Sequence, residues 1–562
     1  MTDVRILFIG LCMLMVATMA AQPETLQNDY LRWRLNGNGA LSDNGIWLEM
    51  QSQQEWVPVV SDLGLWMAGQ TPGGEAVFLS TSAGGQPRLA GSQQILNKVW
   101  TVTAEEIARH RADFEDNGVI DDPIPAIFSW PGKGNASFNA YNGITLPIDD
   151  VIRLDAGFWD INGTGHYDPL NGDFPILPVR GCLGSVLPTQ MSYCVFTLLS
   201  SGGTAAVLPM QVQLYTFSFA CSEEDHPLNK ALFTLHKLSY TDEEPVAGGH
   251  PQFSNCYWGQ WVDPDLGCPN DDYVGSFPEL KAAYVYNSSN TDCASGLGPD
   301  FGDEPPALGI YSLRGPLDIQ GNPVPISSIN YYNNASVGPV PPATTAPVTL
   351  IEYYNYLGGF WRDGSPLTIG GTGYGGSEPT NFAFPGLPEQ TNGWTEWEAQ
   401  NPPGDRRLLI NYGDFDLAPG AVNEFITAYS VYRGPGNHLD QAAGLRDQIE
   451  LVQHYFDGCF DATSAPDLPA CTSMVTSTDS ALPAPGLSVF PNPATDWLEV
   501  ELPATRSSNC TLRDLHGRVV FQQILAGGRQ RLSLAALPAG IYILSAQTGA
   551  EPPVVAKIVV GR

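Results

Sequence analysis

The 562-residue sequence predicts a mainly β protein: a multi-domain, loop-rich, β-sandwich-like core with one amphipathic helix near 438–456, followed by a C-terminal seven-stranded Ig-like β-sandwich. Three observations predict it. The chain holds 59 Gly and 47 Pro, residues that cost about 1–3 kcal/mol each inside a helix but suit turns. Apolar residues make up 43%, enough for real cores, while charged residues are only 15% against a usual share of about 25%. Short apolar segments alternate with period two between Gly, Pro and Asn turns, as half-buried strands do. The acidic excess, a net charge of −33, excludes nucleic acid as an unassisted partner.

In chain order, Arg5 followed by the apolar run Ile6 to Ala17 and the small residues Thr18-Met19-Ala20-Ala21 predicts a signal peptide over 1–21. The run falls short of the roughly 20 residues that span a bilayer, and no later segment reaches that length, so no transmembrane segment is expected in the mature chain. Residues 22–220 form a first β-rich region, opening as a meander with turns at Asn36-Gly37 and Asp43-Asn44-Gly45. Strands are expected over 211–219, 231–240, 281–286, 407–411 and 423–432, with a boundary near Cys221 and a second β-rich region over 221–460. That region closes with the helix, whose Leu445, Ile449, Val452 and Phe456 recur at helical spacing. Residues 461–483, rich in Ala, Ser, Thr and Pro, form a linker to a last domain over 484–562.

Cys12 leaves with the signal peptide. Among the rest, Cys182 and Cys194, Cys256 and Cys268, and Cys459 and Cys471 share a twelve-residue spacing, which favours three local disulfides in an oxidising destination. Cys221 and Cys293 are left to pair at longer range, and Cys510 is unpaired.

The last domain contains four ordered motifs: Pro491-Asn492-Pro493, Asp514 with Gly517-Arg518, Gly540-Ile541-Tyr542, and a final strand with Lys557. In order and spacing they resemble the type A C-terminal sorting domain of the type IX (Por) secretion system of Gram-negative bacteria. The resemblance implies export through the periplasm to the outer-membrane surface or the medium. Its implied partners are the type IX translocon and sorting machinery. Motifs in the middle of the chain resemble a recurrent exported architecture among cargo of the same system: Leu65-Trp66-Met67-Ala68-Gly69, Trp130-Pro131-Gly132, Trp261-Val262-Asp263-Pro264-Asp265 and Pro403-Gly404-Asp405-Arg406-Arg407. That resemblance implies export and carries no mechanism.

Three constellations carry candidate chemistry. Asp160, Asn162, Thr164, the backbone carbonyl of His166, and Asp168 alternate with glycines, with Asp173 beyond, as the oxygen cage of a structural calcium loop would. Against that pattern, Thr164 stands where Asp or Asn is usual, and no Glu follows at the twelfth position. Asp263 and Asp265 with Asp271 and Asp272 form a second acidic loop that needs a cation or solvent. Glu396 and Glu398, placed on one strand face beside Trp394 and Trp397, match the paired carboxylates and aromatic platforms of a glycosidase, and equally a sugar-binding rim. No Gly-x-Ser-x-Gly elbow, His-Glu-x-x-His or phosphate loop occurs. The expected function is therefore that of a secreted or cell-surface protein without catalysis, acting in adhesion, matrix or glycan contact, with surface polysaccharide or extracellular glycan as partner. A secreted hydrolase of polysaccharide is the alternative.

Overall fold

The computed structural model describes residues 24–460 except 29, 42–44, 51–54, 183–185, 200–208, 242–250, 294–299, 304, 335–339 and 392. It also describes Cys471, and residues 488–560 except 491–493, 495–496, 503–507, 515–518, 527, 536, 539 and 548–553. The expected signal peptide and nearly all of the expected linker lie outside these residues. The chain divides into two compact units at 475/476. Strands account for 41% of the described residues and helices for 16%.

The first unit is built on an eight-stranded antiparallel sheet. Its spatial order is Asp272–Phe277, Ala282–Asn287, Ala307–Arg314, Val422–Tyr432, Ala231–Tyr240, Pro209–Ser218, Gln190–Leu199 and Trp100–Thr103. Side chains alternate across it, and both faces are covered. One face (Cys194, Phe196, Val212, Leu214, Phe425, Tyr429) shares a core with a five-stranded sheet, Ile326–Asn333, Arg406–Leu417, Phe253–Asp263, Asp62–Gln70 and Ala76–Ser80. The other face (Tyr193, Val195, Tyr215, Phe217, Phe233, Leu235) packs against the irregular segment 104–182 and the closing helix. A four-stranded meander, Glu24–Gln27, Leu31–Leu35, Ile46–Met50 and Glu55–Val60, joins the first core with one face only.

The boundary expected near Cys221 falls within this sheet, where Pro209–Ser218 pairs with Ala231–Tyr240 in unbroken register from Met210↔Tyr240 to Ser218↔Leu232. The chain on either side of it therefore contributes to one continuous body. The closing helix spans Asp440–Asp457, and Leu445, Ile449, Val452 and Phe456 are all buried. Gly309 lets it approach: a Cβ there would lie 3.1 Å from both Ile449 Cδ1 and Leu445 Cδ1. Two further helices occupy stretches expected as strand and loop, Ala104–Asn117 and Leu350–Leu357. Both begin with a capping box, Thr103 with Glu106 and Thr349 with Glu352, which satisfies the otherwise orphaned first-turn amides.

The disulfides are present but their pairing differs from the local scheme. Cys182 bonds Cys459, Cys221 bonds Cys471, and Cys268 bonds Cys293, with Cα–Cα distances of 5.4, 4.7 and 5.3 Å. Cys182 and Cys194 belong to cores on opposite faces of the eight-stranded sheet, so they cannot meet. Cys256 sits early in the extended strand Phe253–Asp263 of the five-stranded sheet, buried in the core it shares with the eight-stranded one, and the strand carries the chain away before Cys268. Cys459 and Cys471 each reach back to the body instead of to each other. Cys194, Cys256 and Cys510 are buried free thiols.

The second unit contains seven strands among its described residues. They form a three-stranded sheet, Ser488–Phe490, Trp497–Leu502 and Gly528–Ser533, and a four-stranded sheet, Val519–Leu525, Ser508–Asp514, Gly540–Gln547 and Val554–Val560. Leu498, Val500, Leu512, Leu532, Leu544 and Ile558 fill the space between them. This is the expected small sandwich.

Non-reducing peptide mapping of the exported protein should recover 182–459, 221–471 and 268–293, with thiols at 194, 256 and 510. Cys182→Ser with Cys459→Ser should cost about 2–5 kcal/mol of stability, since that bond closes the longest loop. Recovery of 182–194 or 459–471 as the main species would contradict this topology.

Candidate functional site

The outward face of the four-stranded meander gathers aromatic and cationic groups. Leu31, Trp33 and Leu35 point into the core, so Arg32 and Arg34, at the alternate positions of the same strand, point out. Ile46 and Leu48 are likewise buried, which turns Trp47 and Glu49 outward, and Val57 and Val59 turn Trp56 outward. Register places Arg32 opposite Trp47 and Glu49 opposite Trp56. The Arg32 guanidinium lies 5.2 Å from the Trp47 ring centroid and 4.4 Å from that of Trp56, so it sits between two indoles. Burial among them lowers its pKa, the Arg34 charge lowers it further, and Glu49 opposes both. A hollow of about 100 Å³ opens beside it, lined by Arg32, Trp33, Arg34, Gly45 and Trp47. Sequence reasoning passed over this face, although the alternation in Leu31-Arg32-Trp33-Arg34-Leu35 already separates its two sides.

The acidic motifs of the middle region converge elsewhere. Asp263, Asp265 and Asp405, from two distant segments, place carboxylate oxygens within 4.8 Å of one another. Arg407 pairs with two of them: its Nη1 is 2.8 Å from Asp263 Oδ1 and also contacts Asp405. Burial pushes the Asp263 carboxyl up to about 8, with Arg407 opposing and Asp265, Asp405 and Asp62 adding to the rise. Asp271 and Asp272 do not join this group in one metal-sized cluster. Asp272 is fully buried, accepts from the Leu266 amide at 3.2 Å, and is pushed well up by burial and by Asp271. Neighbouring Asp292 accepts from Cys268 and Phe301 amides, so carboxylates fasten this turn beside the Cys268–Cys293 bond.

The pair Glu396 and Glu398 departs from the strand face expected of it. Residues 395–400 form a turn, with Glu396 completely buried and Glu398 exposed. Glu396 Oε1 accepts from Arg406 at 3.0 Å and Oε2 from the Val274 amide at 2.8 Å. The guanidinium also donates to the Pro402 carbonyl at 2.7 Å and lies over Tyr331. Glu396 is thus a buried counter-charge that fixes the start of a core strand, out of reach of a substrate. Trp394 packs on Phe384 with ring centroids 4.9 Å apart, and only Trp397 is exposed. The two tryptophans form no shared platform.

The 160–173 loop is closed by its own hydrogen bonds. Asp160 Oδ1 accepts from the Gly163 and Thr164 amides at 2.7 and 3.1 Å, and Oδ2 from Gly165 at 2.7 Å. Asn162 accepts from the Thr164 amide, and the His166 carbonyl accepts from the Thr164 hydroxyl at 3.1 Å. Asp168 accepts from Leu170 and Asn171. Asp173 is fully buried, with one oxygen on the Ile161 amide and the other on the Asp168 amide, both at 2.9 Å. Burial, and then the charges of Asp160 and Asp168, push it up to about 6 against those two bonds. Of the sorting motifs, Asp514, Gly540, Ile541, Tyr542 and Lys557 lie on paired strands, with Tyr542 opposite Asp514 and donating its hydroxyl to the Pro538 carbonyl at 2.9 Å. Pro491, Asn492, Pro493, Gly517 and Arg518 lie outside the described residues.

No curated protein matches the chain. Among solved structures, a polysaccharide lyase is similar at 12% identity and a TM-score of 0.17, over 65% of this chain and 35% of that one. An amine oxidase of Aspergillus nidulans is similar at 10% identity and a TM-score of 0.27, over 78% of this chain and 57% of that one. The chain spans less than two thirds of either, and scores this low carry no argument about its chemistry.

Glu396→Ala should cost about 3–5 kcal/mol in urea unfolding, because it strands a buried guanidinium, whereas Glu398→Ala should change stability by less than about 0.5 kcal/mol. Equal effects would contradict the buried pair. Residues 488–561 match the family described as the secretion system C-terminal sorting domain, so this chain carries the tail that marks type IX cargo for export to the cell surface or extracellular space.

Proposed function

We propose that the exported body is a non-catalytic contact protein that binds glycan at the cell surface or in the surrounding matrix. The single observation that carries this is the Trp47–Arg32–Trp56 face. Partly exposed indoles on the outward face of a sheet offer apolar area to the C–H face of a pyranose ring, and the neighbouring Arg32 and Glu49 side chains can bond its hydroxyls. Because the opposite side of the sheet is core, the platform is rigid before ligand arrives, and little entropy is lost on binding. Of the carboxylate pair that would have suited a hydrolase, Glu396 is instead held internally by Arg406 while Glu398 stands exposed.

A glycan array run beside a hydrolysis screen on the full-length protein tests the proposal. Binding without product release is expected, and Trp47→Ala with Trp56→Ala should weaken it by about tenfold or more, in line with the 1–3 kcal/mol of a buried side chain. Time-dependent release of reducing ends, undiminished in that variant, would favour the hydrolase instead.

Calcium at the 160–173 loop belongs to the same proposal as a structural staple. Asp160, Asp168 and Asp173 bring three carboxylates to one loop, and their mutual repulsion would be relieved by a cation. For a dissociation constant of about 10⁻⁴–10⁻³ M, 10 mM calcium added as titrant should contribute about 1.4–2.7 kcal/mol. One unfolding transition should shift upward with calcium and return with chelator, and Asp160→Ala should abolish the shift. A profile indifferent to both reagents would leave the loop as a hydrogen-bonded turn.

A further inference from the structure

We propose that the outward face of the four-stranded meander selects acidic glycans, with Arg32 and Arg34 receiving a sugar carboxylate while Trp47 and Trp56 stack on pyranose rings. The inference rests on the glycan reading above and adds the ligand's charge. Its basis is the juxtaposition of two guanidinium groups with two indoles on one side of one sheet. Arg32 and Arg34 are two residues apart on a single strand, so the period of two brings both to the same face. Among the described residues neither forms an ion pair within 4.0 Å, while other arginines of the body are engaged: Arg406 with Glu396, Arg407 with Asp263, Arg314 with Glu424.

In a chain of net charge −33, two adjacent cations without a paired carboxylate are a local reversal of sign. Their mutual repulsion, and the removal of Arg32 from water by the flanking rings, are both relieved by an anion. A guanidinium presents a planar fork of N–H donors that matches a carboxylate bidentately, which a lone ammonium cannot do. The hollow bounded by Arg32, Arg34, Gly45 and Trp47, about 100 Å³, gives such a group a place to enter at the edge of the aromatic platform. Gly45 is required there: a Cβ would lie 1.6 Å from the Val60 carbonyl oxygen, and φ is +58°. Glu49, opposite Trp56, is the facing carboxylate, and it leaves the Arg34 end of the strand as the cationic end.

The test measures binding of the full-length protein to polygalacturonate and to neutral galactan, at 50 and 300 mM NaCl. Polygalacturonate should bind about tenfold or more tightly than galactan at the lower salt, with the preference falling as salt screens the contact. Arg32→Gln with Arg34→Gln should abolish that preference, and Arg34→Gln alone, at an exposed position outside the Trp47–Arg32–Trp56 stack, should remove part of it while leaving galactan binding within about twofold and the fold undisturbed. Trp47→Ala with Trp56→Ala should reduce binding to both polymers. Equal affinity for the two polymers, or a polygalacturonate affinity unmoved by both arginine variants, overturns the proposed acid selectivity. If galactan still binds through the tryptophans in that case, the glycan reading survives. Binding to neither polymer by protein whose circular dichroism is native overturns the acidic-glycan assignment, and absence of binding across the neutral array as well overturns the glycan reading itself.

Discussion

The eight-stranded sheet is covered on both faces, and most other features of the body follow from that. Each strand must supply apolar side chains to two cores at once, as Tyr193, Cys194, Val195 and Phe196 do in succession. The five-stranded sheet seals one side. The other is sealed by chain with little strand of its own, and the closing helix and two long-range disulfides hold that cover down. Polar groups caught between such layers must be satisfied or neutral. Thr427 reaches Gln260 of the facing sheet at 3.1 Å, while His236, with no exposed surface, has its pKa pushed down to about 3 and stays uncharged.

With both faces of the main sheet occupied, ligand-facing surface is left to the periphery. The four-stranded meander has only one face in the core, so its other face is free to carry Arg32, Arg34, Trp47 and Trp56. The same economy governs charge. The chain has 26 basic against 59 acidic residues, and burial forces the few inner carboxylates into contact with scarce cations or backbone amides. Arg406 and Arg407 are spent side by side at the head of one strand, one on Glu396 and the other on Asp263 and Asp405. What resembles an active-site carboxylate pair in sequence is there a structural counter-charge.

Much of this was legible beforehand. The strand 231–240 falls at its expected limits, and 423–432 extends by one residue at Val422, because turn residues bracket clear runs of β-formers. The helical stripe Leu445, Ile449, Val452 and Phe456 is buried as its spacing requires. Ala104–Asn117 was missed because its mean composition is polar, although Thr103-x-x-Glu106 announces its start. The disulfide pairing is not legible in the sequence for a different reason: equal spacing says how far apart cysteines lie along the chain, and nothing about which face of a sheet each one enters. The Arg32 face went unnoticed because Trp47 and Trp56 gain meaning only once strand register sets them about Arg32.

By itself the sequence determined the β class, the oxidising destination, the closing helix and the sorting tail. Those depend on composition, local periodicity or short ordered motifs, and each acts over a few residues. Tertiary structure alone decided that the chain on both sides of Cys221 forms one body, that Cys182 finds Cys459 and Cys221 finds Cys471, and that Glu396 is sealed against Arg406. It also decided, through strand register, that Trp47 and Trp56 flank Arg32. These are contacts between segments tens to hundreds of residues apart, and they are selected by the burial of whole sheet faces, a quantity that no local stretch of sequence contains.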